Sequence, residues 1–143
     1  MARFRLSTVL RARQAQEDVR KAEVVRARGA ARHARRNADE RADALRATDA
    51  SPVGTARAVV AALAARHALA AGLSAAHHAI GEADAHVDAQ TADLAEAAKR
   101  RRVVERLGER HAAAQKAHAA AVEQRAIDEI AITAAARAGD LIS

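Results

Sequence analysis

Ala50-Ser51-Pro52-Val53-Gly54-Thr55 holds the only proline of the chain, and its reading decides the fold. Proline lacks a backbone donor and fixes φ, so it either ends a helix or opens one. On both sides lie long runs of strong helix formers. Gly29 is the sole glycine between Leu6 and Thr48, and Gly72, Gly81 and Gly108 are those between Ala56 and Ala138. Each weakens a helix by about 1 kcal/mol relative to Ala without breaking it. Two helices that meet at one break fold back on each other. The expected fold is all-α: two long helices forming an antiparallel coiled-coil hairpin, with a short helix or break at the tip.

Both runs carry heptad seams. Val24, Ala31, Ala38 and Leu45 sit seven apart with Ala27 and Ala34 interleaved, Ala standing where a strong zipper has Leu. Arg41 takes the next interleaved position, and Arg13, Glu17 and Arg20 dilute the seam near its start. In the second run Leu73, Ile80, Val87 and Leu94 repeat by sevens beside Ala76, Ala83 and Ala97. After Lys99-Arg100-Arg101-Arg102 a change of phase is expected. Val104 and Leu107 would take up the stripe, and His111, Ala114, His118 and Ala121 would continue it along the seam edge.

The arms differ in length. The first has about 43 residues, roughly 65 Å, and the second about 83, roughly 125 Å. The expectation is one hairpin over residues 1–143, with arm 1 at about 4–48, the tip at about 49–72 and arm 2 at about 73–138. A separate tip helix would run from Pro52 to about Gly72, capped by Ser51 or by Thr55. A frayed or partly single stretch would follow at the C-terminus, with Gly139-Asp140 as a helix stop.

Composition supports this plan. Half of the 143 residues are apolar, but 45 of them are Ala and only 1% of the chain is aromatic. An Ala side chain contributes about one methyl to a core, so no thick globular core is available and strand folds are set aside. There is no Cys for a disulfide or a thiolate site. The basic N-terminus lacks the apolar run of a signal peptide, and the least charged run, His67 to Gly81, is short of the roughly 20 residues of a membrane span. A soluble intracellular protein is expected. Residues 1–48 carry +7, residues 49–98 carry −4 and residues 99–143 carry +3. An antiparallel hairpin therefore has one basic end and an acidic tip.

Candidate chemistry is sparse. His78, Glu82 and His86 recur every four residues on one face, but a metal centre needs further ligands that the other arm does not offer. The runs Arg32-His33-Ala34-Arg35-Arg36 and Lys99-Arg100-Arg101-Arg102 could grip phosphates. With no aromatic among them and acids close by, a solvated helix face is the favoured reading. No phosphate loop, nucleophile elbow or carboxylate pair is present. No catalysis, cofactor, metal or small-molecule ligand is expected.

The ends of the chain carry a pattern. Phe4-Arg5-Leu6-Ser7-Thr8-Val9-Leu10-Arg11-Ala12-Arg13 with Glu17-Asp18, and Glu123-Gln124-Arg125-Ala126-Ile127-Asp128-Glu129-Ile130-Ala131, resemble the opening and closing segments of FliJ. FliJ is the small coiled-coil family of the flagellar type III export apparatus. The resemblance implies a non-enzymatic stalk, similar to the γ subunit of rotary ATPases. Its paired termini (Phe4, Leu6, Val9, Leu10, Ile127, Asp128, Glu129 and Ile130) would sit in the hexameric export ATPase, with Ile132 beside them. Its tip side would meet the cytoplasmic domain of the export gate, with Val59 and Leu63 as the nearest matches to the family's contact segment. The same resemblance implies escort of export chaperones and a cytoplasmic place at the inner membrane. The alternative class is a basic coiled-coil protein that binds nucleic acid or an anionic surface, marked by a steep salt dependence.

Overall fold

A computed structural model describes residues 6–48 and 54–140. Two helices account for nearly all of them: α1 (Leu6–Ala47) and α2 (Ala56–Asp140). The expected hairpin of two helices around a break is the observed fold. Phe4, Ser51 and Pro52 lie outside the described residues. Thr55 is the cap observed for α2, its Oγ1 accepting the backbone N–H of Ala58 at 3.4 Å. At the other side of the break Thr48 closes α1, its N–H and Oγ1 both donating to the carbonyl of Leu45.

The expected separate tip helix does not form. α2 runs unbroken from Ala56 through Gly72. A lone glycine among alanines and leucines lowers helix propensity but leaves every backbone donor in place, so nothing ends the helix there.

Residues divide into two compact units, Arg13–Lys99 and the pair of segments Met1–Ala12 and Arg100–Ser143. In the first, the helices run antiparallel. Arg35 Nη2 donates to both carboxylate oxygens of Asp84 at 2.7 and 2.9 Å, and Arg20 Nη1 stands 3.8 Å from Asp93. The seam divides its labour. α1 supplies the buried Val24, Ala27, Ala31 and Ala38, whereas α2 supplies Leu73, Ile80, Val87 and Leu94, which are half-buried. An Ala ridge lets the helix axes come close but covers its larger partners incompletely. Ala76 is the one buried apolar residue that α2 adds among those described.

In the second unit, Leu6 and Leu10 of α1 are half-buried, as are Arg101, Val104, Glu105 and Gly108 of α2. Here a second expectation fails. The inward positions keep stepping by four and three through Leu94, Ala97, Arg101, Val104 and Gly108, so the phase does not change after the basic run. Leu107 points outward, and His111 and His118 lie on no seam at all. Arg101 holds the heptad position by folding its guanidinium onto Glu105 one turn along.

Candidate functional site

The proposed terminal cluster is only partly assembled. Leu6 and Leu10 face inward and Val9 faces out. Past Gly108, every residue of α2 from Glu109 to Arg137 is exposed. Ile127 and Ile130 are 59% and 69% exposed, and Ile132 matches the latter. Among the described residues, the pairing of these isoleucines with the first turns of α1, which the resemblance implied, is not seen. Ile127 lies about 28 Å along the helix from Gly108, the last half-buried residue of α2 among those described. Asp128 accepts a hydrogen bond from Gln124 at 2.9 Å, and the Thr133 hydroxyl donates to the carbonyls of Glu129 and Ile130. The stretch is a single helix held by its own local bonds, presenting Val122, Ile127, Ile130 and Ile132 to solvent.

At the start of α2, Val59 is half-buried while Leu63 is 51% exposed. Sequence reading missed Val60, which is 67% exposed and extends that apolar patch by one residue. One 18-residue window of α2 reaches a mean hydropathy of 1.5, enough by length and composition to qualify as a membrane span, and none of it is buried. Alanine supplies much of that value, and the same helix continues into the ion-paired coil.

The basic runs are partly neutralised inside the hairpin. Arg35 is taken by Asp84, Lys99 by Glu96 at 2.7 Å and Arg101 by Glu105. Nearer the start of α1, Lys21 bonds Glu17 at 3.1 Å and Asp18 at 3.2 Å, and the two carboxylates hold its ammonium above the ordinary lysine range, Glu17 foremost. Arg20 is raised likewise, first by its 2.7 Å hydrogen bond to Glu23. Among the described residues no three His, Asp or Glu side chains converge on a point that could hold a metal ion.

One further polar group was legible but overlooked. Gln90 takes the interleaved seam position between Ala83 and Ala97, where the α2 pattern has alanine. It lines an open groove of about 350 Å³ with Glu23, Arg26, Ala27, Ala30 and His86, and its Oε1 is buried with no hydrogen-bond partner among the described residues.

Three comparisons bear on identity. No curated protein and no solved structure matches the chain. The family model described as "Flagellar FliJ protein" matches residues 1–140 of the 143. That match spans both helices and the break between them, together with the two terminal segments whose residues carry the resemblance. The chain belongs to the FliJ family and is a component of flagellar protein export.

Proposed function

We propose that this chain is a non-catalytic stalk of the export apparatus, whose terminal end engages the hexameric export ATPase. The observation that carries this reading is the run from Glu109 to Arg137, a helix with no covering partner among the described residues and three isoleucines on its surface. Exposed aliphatic groups of that size cost solubility unless a partner covers them. Ile127 and Ile130 flank Asp128 and Glu129, so an apolar contact and a charged one are available within a single turn. Val9, exposed on α1, adds to the same unit, and Leu6 and Leu10 hold α1 in place. Phe4 belongs to the same proposed contact.

The tip side takes the second role. Val59 and Leu63, now with Val60, form the proposed contact with the cytoplasmic domain of the export gate, and the escort of export chaperones belongs to the same stalk. The protein would then work in the cytoplasm, at the inner-membrane face of the apparatus.

The test is ATPase rate of the purified hexamer against added protein. Ile127→Asp with Ile130→Asp should abolish stimulation while leaving helicity by circular dichroism unchanged, because both residues are exposed. Val60→Asp with Leu63→Asp should spare stimulation and weaken binding to the gate domain. Full stimulation by the helical isoleucine double variant would refute the ring contact.

A further inference from the structure

The outer face of α1 carries a feature that the hairpin does not use. Val25, Gly29, Arg32 and Arg36 step by four, three and four, the same rhythm as the seam but on the far side of the helix. Gly29 lies two residues from each of the seam residues Ala27 and Ala31, about 200° around the helix. Arg28 flanks this line one turn before Arg32. Arg28, Arg32 and Arg36 are exposed, spaced one turn apart, and none has an acidic partner among the described residues. Like charges at that spacing repel within the helix. Val25 is 65% exposed beside them.

Gly29 is the second, independent observation. A β-carbon built there meets nothing within 4 Å, so packing inside the chain does not call for glycine. Glycine weakens a helix interior relative to alanine, and nothing in the described hairpin fills the space a side chain would take there. A bare backbone on an outer face admits close approach by something from outside. Phosphates of a lipid surface or a nucleic acid are reached by the long Arg side chains and need no such approach. A second helix packed at an interaxial distance of about 8–10 Å does need it.

We propose that the outer face of α1 around Gly29 docks an acidic helix of a partner protein, its carboxylates spaced one turn apart to meet Arg28, Arg32 and Arg36. None of these residues belongs to the proposed ring or gate contacts, so this inference stands apart from that reading.

The probe is a synthetic Ala-based helical peptide with Glu at every fourth position. Its control is a peptide of equal composition with the Glu residues scattered around the helix. Binding to the full chain is followed by fluorescence anisotropy at about 150 mM salt, where loose surface attraction is largely screened. The aligned peptide should bind more tightly than the scattered one. Arg32→Gln with Arg36→Gln should remove that preference. Gly29→Leu, which changes no charge, should weaken binding by about tenfold or more, with helicity equal to or above that of the parent. Unchanged binding by Gly29→Leu would overturn the close-packed helix. Preference for phosphatidylserine vesicles or duplex DNA over the aligned peptide would overturn the choice of partner. Self-association by light scattering that Arg32→Glu relieves would assign the face to a second copy instead.

Discussion

The guanidinium of Arg41 lies across Gly72: a β-carbon at Gly72 would stand 2.8 Å from Arg41 Nη1. Arg41 is held there from its own helix, its Nε donating to Asn37 Oδ1. The atom in the way is the far end of a flexible side chain, so it can move aside. Gly72→Ala should therefore stabilise the hairpin, by somewhat less than the roughly 1 kcal/mol helix-propensity gain. In an Arg41→Ala background the same substitution should realise that gain in full. Thermal unfolding of the four species by circular dichroism measures the difference. A loss of stability on Gly72→Ala in both backgrounds would mean that the glycine serves the backbone and not the arginine.

Gln90→Leu should stabilise the pair by about 1–2 kcal/mol, since it removes a buried acceptor without a partner and completes an aliphatic seam. Urea unfolding checks it through the midpoint at constant slope. If the variant is stable but samples more than one helix register by disulfide trapping, then the amide specifies alignment at a cost in stability.

Arg35 and Asp84 are both about half exposed, so their bond should contribute only about 0.2–1 kcal/mol and fade with salt. Arg35→Asp should destabilise beyond that, because two carboxylates would then face each other across the seam. Adding Asp84→Arg should restore much of the loss. A double-mutant cycle at low and high salt reads the coupling.

Lys21 titrates higher in the folded chain than its ordinary 10.5, owing to Glu17 and then Asp18. A raised value means that its contribution is complete below 10.5 and is lost as pH climbs through the folded value. Melting temperatures should hold across neutral and mildly alkaline pH and fall above that point. Lys21→Gln should start lower and show a smaller alkaline drop. An equal drop in both would place the sensitivity elsewhere.

Much of this architecture could be read from the residues, and the misses share a cause. Val24, Ala31 and Ala38 announce their seam by spacing alone, and Leu73, Ile80 and Val87 do the same on α2. Gln90 was visible as the gap in the interleaved series of Ala76, Ala83 and Ala97. What spacing could not supply was the reach of α1. Periodicity continues on paper through His111 and His118, but a seam exists only where a partner helix covers it, and cover stops at Gly108. For the same reason Ile127 and Ile130, expected to pair with the start of α1, are exposed. Gly72 was read as a boundary because the arms differ in length, but a lone glycine keeps its backbone donor and does not end a helix.

Removal of residues 112–143 should leave the melting temperature of the hairpin within a few degrees of the parent while lowering the helical signal. Limited proteolysis should attack that same stretch first. Protection of it in the isolated chain would show that some other surface of the molecule covers it.

The alanine seam also has a calorimetric consequence. Four of the five buried apolar residues described are alanines, so unfolding hydrates little hydrocarbon. The heat-capacity increment should fall below the roughly 12–15 cal/mol/K per residue of globular domains. Its stability curve against temperature should then be shallow, with unfolding enthalpy nearly constant and cold denaturation pushed far below the freezing point of water.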